Sequence, residues 1–154
     1  INKYKKSLKY IFNMNEDDMT FLEKSLQNNN NKNISSLTFS DINKDKKNIV
    51  NDLNLSKKES KKILDKLSDY RYIDEIPDLV EGRYIRWINL KNPYNIKLTN
   101  GGILCEIKME DYVSLVMKNN MNRFFQINLD ENLIFQRLTE QEKIILYAID
   151  VVNN

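Results

Sequence analysis

The residues best suited to chemistry are the lysines in the stretch from Ser56 to Ile73, SKKESKKILDKLSDYRYI. In a helix, most of them would lie on or near one outward face. Each lysine ammonium can neutralise a phosphate and release its counterions, but it acts as a point charge and does not read bases. The pattern therefore predicts contact with a nucleic-acid backbone. The residues predicted to make this contact are Lys57, Lys58, Ser60, Lys61, Lys62, Lys66 and Arg71.

A solvated helix face is the alternative explanation of the same lysines, because Glu59, Asp65 and Asp69 can balance their charge. Residues 44–66 carry eight lysines and four acidic residues, whereas residues 69–81 carry five acidic residues and one arginine. Such sorted charge produces a directional field that can steer a partner. The acidic run would, however, repel phosphate beside the lysine-rich helix, so both explanations stay open.

Several kinds of functional site are excluded by the residues that the chain lacks. It has no histidine, which excludes Ser-His-Asp and Cys-His catalysis and imidazole metal ligands. The single Cys105 excludes an internal disulfide and a cysteine-built zinc site, and we expect it in the core of a protein from a reducing compartment. The three glycines form no phosphate-binding motif. We therefore predict a non-enzymatic protein with no cofactor and no metal site.

One sparse motif offers an enzymatic alternative. Pro77-Asp78, followed by Glu106-Ile107-Lys108, matches the PD...ExK pattern of a superfamily of metal-dependent nucleases. The resemblance implies that the two carboxylates hold Mg²⁺ and that the lysine positions the attacking water. So short a pattern recurs by chance, and a half-exposed strand often carries Glu and Lys two residues apart. We therefore rank the nuclease below the other functions.

Trp87 and Arg86 form a second candidate surface, on which the bases of a single strand would stack. Alternation along a strand puts Ile85 and Trp87 on one face and Tyr84, Arg86 and Ile88 on the other. Neither face is purely polar. Because aromatic residues at strand spacing lie more often in a core than on a binding surface, we favour burial on both faces.

Helices dominate the predicted first half of the chain. Apolar residues at helical spacing predict a basic helix from Tyr4 to Phe12, and a second helix that starts at the N-cap Asn15. The asparagine run at residues 28–31 ends this second helix as a solvated loop. A short strand, ISSLTF, then leads into a helix from about Asp41 to Asp52.

The lysine-rich stretch is the next predicted helix. Ser56 and Glu59 have the spacing of a capping box, so this helix begins near Lys57. The segment YRYIDEI follows it as a strand. The residues predicted to form one buried cluster around the helix are Leu53, Ile63, Leu64, Leu67 and Ile73.

This order of helix, strand, helix, tight turn, helix and strand is typical of a winged helix. The segment IVNDLNLSKKESKKILDKLSDYRYI resembles the winged helix-turn-helix family, over roughly residues 16–76. The resemblance implies that the helix beginning at Lys57 enters the major groove. The chain departs from the family after Tyr72, where the acidic run DEIPDLVEG replaces a glycine-rich, basic wing.

Beyond Pro77 the apolar pattern has the period of two that strands show. The segments RYIRWINL, GILCEIKM, YVSLVMK, RFFQINL and NLIFQRL predict four or five successive strands separated by turn-forming residues. Short strands at this spacing are typical of a small closed sheet, of the SH3-like or OB-like barrel kind. Thr139 and Glu142 repeat the capping box and open a C-terminal helix that is apolar enough to dock on the barrel or on a partner.

The sequence thus predicts an α+β protein, with a winged-helix-like domain at residues 1–76 and a small β-barrel with a C-terminal helix at residues 77–154. We expect an adaptor that binds nucleic acid and other proteins, or a subunit of a transcription or genome-handling complex. The alternative is a structural subunit that makes only protein contacts within a viral assembly, since fold alone does not determine function.

The expected location rests on a second resemblance. The segments GRYIRWINL, NGGILCEIK and NRFFQINLDENLIFQRL resemble small uncharacterised proteins encoded by large nucleocytoplasmic DNA viruses. The resemblance implies a cytoplasmic setting, in a viral factory or a virion. No apolar run is long enough to span a bilayer, and the lysines in the first residues do not fit a signal peptide, so we predict no membrane partner.

Overall fold

The structure, a computed structural model, describes residues 15–153, so the helix predicted from Tyr4 to Phe12 lies outside the described residues. The fold is α+β, as predicted. Helices α1 to α4 span Glu16–Gln27, Phe39–Asn51, Lys57–Lys66 and Glu140–Asn153. Strands β1 to β6 span Tyr70–Ile73, Tyr84–Asn89, Gly102–Met109, Val113–Lys118, Phe124–Asn128 and Asn132–Arg137.

The described chain divides into two compact units. One comprises residues 15–44 with residues 138–153, and the other comprises residues 45–137. The predicted division after residue 76 falls inside the second unit, because β1 and the strands that follow residue 76 belong to one sheet. The C-terminal helix α4 belongs to the unit that contains α1.

The first unit is helical, and α1 and α4 begin at the predicted caps. The Asn15 Oδ1 accepts the Asp18 N–H at 2.8 Å at the start of α1. At the start of α4, the Glu142 N–H donates to Thr139 Oγ1 at 3.1 Å and the Thr139 N–H donates to Glu142 Oε1 at 2.9 Å. This reciprocal pair confirms the second capping box. The buried apolar residues of this unit are Met19, Leu22, Ile34, Ile42, Leu138, Ile145, Leu146 and Ala148.

Two local predictions are wrong in this unit. The strand predicted at ISSLTF is a 3₁₀ turn at Ile34–Ser36, and α2 begins three residues later at Phe39, because burial of Ile34 outweighs the β propensity of the segment. Asn31, predicted in a solvated loop, is buried: its Nδ2 donates to the Ser25 C=O at 2.9 Å and to Gln141 Oε1 at 3.0 Å. Through the side chain of Asn31, the asparagine run therefore connects the end of α1 to α4.

The second unit is built on a six-stranded antiparallel sheet with the order β1-β6-β2-β3-β4-β5. All five strands predicted beyond Pro77, and the strand predicted after the lysine-rich helix, are confirmed. The edge strands β1 and β5 do not pair with each other within the described residues. The predicted closed barrel is therefore wrong, and the sheet is open.

The open sheet is strongly curved nevertheless. The rings of Trp87 on β2 and Phe125 on β5 have centroids 6.3 Å apart, although β3 and β4 lie between those strands. In a flat sheet β2 and β5 would be about 14 Å apart. A bulge between Leu104 and Glu106 adds local twist to β3. Cys105, predicted in the core, is the extra residue of this bulge and is exposed.

The two faces of the sheet carry separate apolar clusters. On one, the helix face, Val50 from α2 and Leu67 at the end of α3 pack with Phe135. On the other, the concave face, Trp87 packs with Ile73 and with side chains from the remaining strands. The predicted grouping of Ile73 with Leu67 is therefore wrong, because alternation along β1 turns Ile73 away from α3. None of the helices in residues 15–153 combines the length and the apolar character of a membrane span.

Candidate nucleic-acid interface

The helix α3 is anchored at its start by the predicted cap. The Ser56 Oγ accepts the Glu59 N–H at 3.2 Å, which satisfies one of the free donors of the first turn. Ile63 is buried against the helix face of the sheet, and Leu64 packs there partly buried. The side of α3 that packs on the sheet is therefore the apolar side predicted from the sequence. The opposite side of the helix is available to a partner.

The end of α3 is held by two cations from other elements. Lys46 of α2 donates from Nζ to the Leu67 C=O at 2.8 Å, and Arg86 of β2 donates from Nη1 to the Lys66 C=O at 3.4 Å. Cations are favourable at a helix C-terminus because of the helix dipole. Burial lowers the pKa of Lys46, and the charge of Asp69 partly offsets this shift. These contacts fix the position of α3 on the sheet.

The exposed side of α3 forms what we call the lysine surface. All five lysines of this surface are exposed, as the sequence predicts, whereas Ser60, which lies between them in the sequence, is half-buried. No hydrogen bond or ion pair joins their ammonium groups to another described residue. The ammonium groups are therefore available to external anions. The lysine surface consists of Lys57, Lys58, Lys61, Lys62 and Lys66.

A groove of about 320 Å³ beside α3 was not predicted; we call it the lysine groove. It lies between α3 and the residues around Leu98, which forms a β-bridge with Ile88. Lys97 thereby lines the lysine groove together with Lys62 and Lys66. The only feature of the sequence that could have indicated the position of Lys97 is the alternation in NIKLTN, which turns its side chain away from those of Ile96 and Leu98. The lining residues are Leu55, Glu59, Lys62, Ile63, Lys66, Ile96, Lys97 and Leu98.

Arg71, predicted to contact phosphate with the lysines, lies on the concave face instead. Its side chain is 8% exposed, and its Nη2 lies 3.9 Å from the Asp78 Oδ1. Its Nε is buried with no hydrogen-bond partner among the described residues. Alternation along β1 separates Arg71 from α3, so the structure does not bring it together with the lysine surface.

Part of the acidic run is held on the concave face too. The buried Gln136 donates from Nε2 to the Asp78 C=O at 3.0 Å, and its Oε1 accepts the Val80 N–H at 2.9 Å. These bonds fasten the segment after β1 to β6. The Asp78 carboxylate is thus close to Arg71 and on the opposite side of the sheet from α3, which weakens its repulsion of a phosphate bound at the lysines.

The residues of the predicted stacking surface both make structural contacts. Trp87 is 8% exposed and packs in the concave-face cluster, the burial that we favoured. Arg86 is half-buried, donates from Nε to the Thr99 C=O at 2.8 Å, and lies 6.0 Å from the centroid of the Tyr70 ring. Strand alternation separates Trp87 from Arg86, as predicted.

The residues of the PD...ExK motif do not converge. Glu106 and Lys108 flank Ile107 on β3, and Ile107 packs on the concave face, so both charged side chains are on the other face. Asp78 lies on the concave face. The structure therefore brings the two carboxylates to opposite sides of the sheet, and residues 15–153 contain no group of three acidic or cysteine side chains that could hold a metal ion.

The chemistry of the site is that of a fixed cationic surface. Ammonium groups bind phosphate or carboxylate oxygens as point charges, so they position a polyanion without identifying its bases. The lysine groove adds aliphatic contact area next to that charge. No protein-family model, curated protein or solved structure matches the chain.

Proposed function

We propose that the protein is a non-enzymatic adaptor that binds nucleic acid through phosphate contacts of the lysine surface. The observation that supports the proposal most directly is the presence of five exposed ammonium groups on a helix held at both ends. A helix that is already fixed loses little conformational entropy on binding. Such an adaptor would work alone or as a subunit of a transcription or genome-handling complex.

A winged-helix-like mode of binding is part of this proposal. The order α2, turn, α3 and β1 supports it, and Asn54 in the turn adopts a φ of 56°, a left-handed conformation that asparagine tolerates. In this mode α3 would lie in or along a groove of the duplex. Lys97 would reach the same backbone from the far side of the lysine groove.

The second candidate function is a structural subunit that makes only protein contacts, as in a viral assembly. The apolar lining of the lysine groove favours this function. A partner protein with an apolar side chain between acidic residues would match both the apolar lining and the lysines of the groove. The two functions differ in one measurable property. Binding to a phosphate backbone does not depend on sequence, whereas binding to a protein depends on the identity of the partner.

The test is a titration by fluorescence anisotropy with duplex DNA, single-stranded DNA and RNA at two salt concentrations. Replacing Lys57, Lys58, Lys61 and Lys62 with glutamine should weaken binding and reduce the slope of log affinity against log salt by roughly one unit per lost phosphate contact. Helix propensity is nearly unchanged by this substitution, so the variant should fold.

The matched control carries the same loss of four charges elsewhere on the surface. Glutamine at the exposed residues Lys24, Lys32, Lys44 and Lys91 lowers the net charge equally and should leave most of the binding intact. The proposal fails if the parent protein binds no nucleic acid at low salt, or if both fourfold variants lose affinity equally. The first result would leave the protein-contact function as the explanation of the site.

A further inference from the structure

The strand β5 is an exposed edge of the sheet. Within residues 15–153 it pairs only with β4, through the register that joins Ser114 to Asn128 and Lys118 to Phe124. Phe124 is 63% exposed and Phe125 is 43% exposed. Aromatic side chains that remain this accessible on an edge strand provide apolar area for a further strand.

The hairpin turn shows which backbone groups of β5 are directed outward. The Asn119 N–H donates to the Arg123 C=O at 2.9 Å, and hydrogen-bonded pairs recur at every second position of an antiparallel ladder. Phe125 therefore bonds to β4, whereas the N–H and C=O groups of Phe124 and Gln126 point away from it. No other described residue hydrogen-bonds to these outward groups.

The devices that usually protect an edge strand are missing from β5. Natural edges carry charged residues, prolines or bulges that prevent pairing with another chain. The strand reads FFQIN, without charge or proline, and its register with β4 is regular. An edge of this kind is suited to accept a partner strand, by the mode known as β-augmentation.

We propose that β5 pairs antiparallel with β5 of a second copy of this chain, about a two-fold axis at Gln126. In this register each Phe125 lies opposite Ile127 of the other copy, and the two Gln126 residues lie opposite each other. The outward groups of Gln126 then form two backbone hydrogen bonds across the axis. Pairs of an aromatic and a β-branched residue are among those that stabilise a sheet.

The charges that flank β5 favour a second copy as the occupant. Arg123 precedes the strand, and Asp130 lies in the short 3₁₀ turn Leu129–Glu131 that follows it. Antiparallel pairing of two identical strands brings the basic end of one copy to the acidic end of the other, at both ends of the interface. The axis also makes the interface self-complementary, as a closed dimer requires.

The decisive experiment uses charge reversal at the axis, with sedimentation velocity of the full chain as the readout. Gln126→Lys and Gln126→Glu each place two like charges opposite each other, so each variant should weaken the dimer at least about tenfold. An equimolar mixture of the two variants should restore dimers. The same two substitutions at the exposed Asn43, outside the sheet, should leave the parent dimer unchanged.

A second variant tests the backbone bonds. Gln126→Pro removes one outward N–H while leaving the ladder with β4 intact, because proline is tolerated where the N–H of an edge strand is directed away from the sheet. This variant should fold, as judged by circular dichroism, and should be monomeric. The proposal is overturned if the parent is monomeric at its highest soluble concentration, if Gln126→Lys alone dimerises like the parent, or if the mixture of charge variants stays monomeric.

Discussion

Lys46 on α2 donates its Nζ hydrogen to the backbone C=O of Leu67 at 2.8 Å, and the whole residue is only 4% exposed. The bond ties α2 to the last turn of α3, where a positive charge is favoured by the helix dipole. Lys46 therefore positions the helix that carries the lysine surface. Its neighbour Lys47 is exposed.

Truncation of Lys46 should destabilise the protein. Lys46→Ala removes the charged donor to the Leu67 C=O, which still accepts the Tyr70 N–H at 3.0 Å, and it removes the packed methylene stem, so the free energy of unfolding should fall by about 1–3 kcal/mol. Urea denaturation monitored by circular dichroism measures the change. Lys47→Ala has the same effect on helix propensity and should change stability by less than about 0.5 kcal/mol. Equal effects of the two substitutions would show that the buried bond contributes nothing.

Stability should fall at alkaline pH because of Tyr70 and Tyr72. Burial raises the pKa of both phenols above the ordinary value of 10.0, with Arg86 partly opposing the shift at Tyr70 and Asp74 adding to it at Tyr72. Above pH 10 the unfolded chain therefore releases these protons while the folded chain keeps them. The stabilisation is fully present below pH 10 and is lost as the pH rises through the raised values.

The double variant Tyr70→Phe/Tyr72→Phe should flatten this decline in unfolding free energies measured from about pH 9 to about pH 11. Lys46 has the opposite effect, because its pKa is lower in the folded protein than in the unfolded chain. The free energy of unfolding should therefore rise with pH between the lowered pKa and the ordinary lysine value of 10.5. Tyr112→Phe, at an exposed tyrosine, is the control. A decline of the same size in the double variant would refute the assignment to Tyr70 and Tyr72.

Gln136 should be required for the ordered segment after β1. Gln136→Leu keeps the approximate volume but removes the two part-buried hydrogen bonds to the Val80 N–H and the Asp78 C=O, each of which contributes about 0.5–1.5 kcal/mol. Hydrogen exchange at the Val80 amide should become faster. Gln27→Leu, at an exposed glutamine of α1, should leave that exchange rate unchanged. An unaltered Val80 rate in Gln136→Leu would mean that other contacts hold the segment.

The core under α3 should respond unequally to two leucine truncations. Leu67 is fully buried, so Leu67→Ala should lower the free energy of unfolding by about 2–5 kcal/mol. Leu64 is only partly buried in the same cluster, so Leu64→Ala should have a clearly smaller effect. Thermal or chemical denaturation of the two variants tests the order. A larger loss at Leu64 would contradict the placement of α3 on the sheet.

Local signals predicted most of the elements correctly. The caps at Ser56 and Thr139 form bonds between residues three positions apart, so sequence spacing alone is sufficient to recognise them. The strands are predicted from the alternation of apolar and polar residues, which also depends only on residues close together in the sequence. The lysine surface also follows from helical spacing around the buried Ile63.

The sequence by itself therefore determined the order of the four helices and six strands, the starts of α1, α3 and α4, and the outward face of α3. Only the tertiary structure decided that Lys46 is buried while Lys47 is exposed, that Arg71 lies across the sheet from the lysines, and that β5 is an edge of the sheet formed by residues 15–153. The physical reason is that burial and strand pairing depend on segments distant along the chain. The periodicity of apolar residues indicates which side of a helix or strand is apolar. It does not indicate whether another segment of the chain covers that side, or which segment does so.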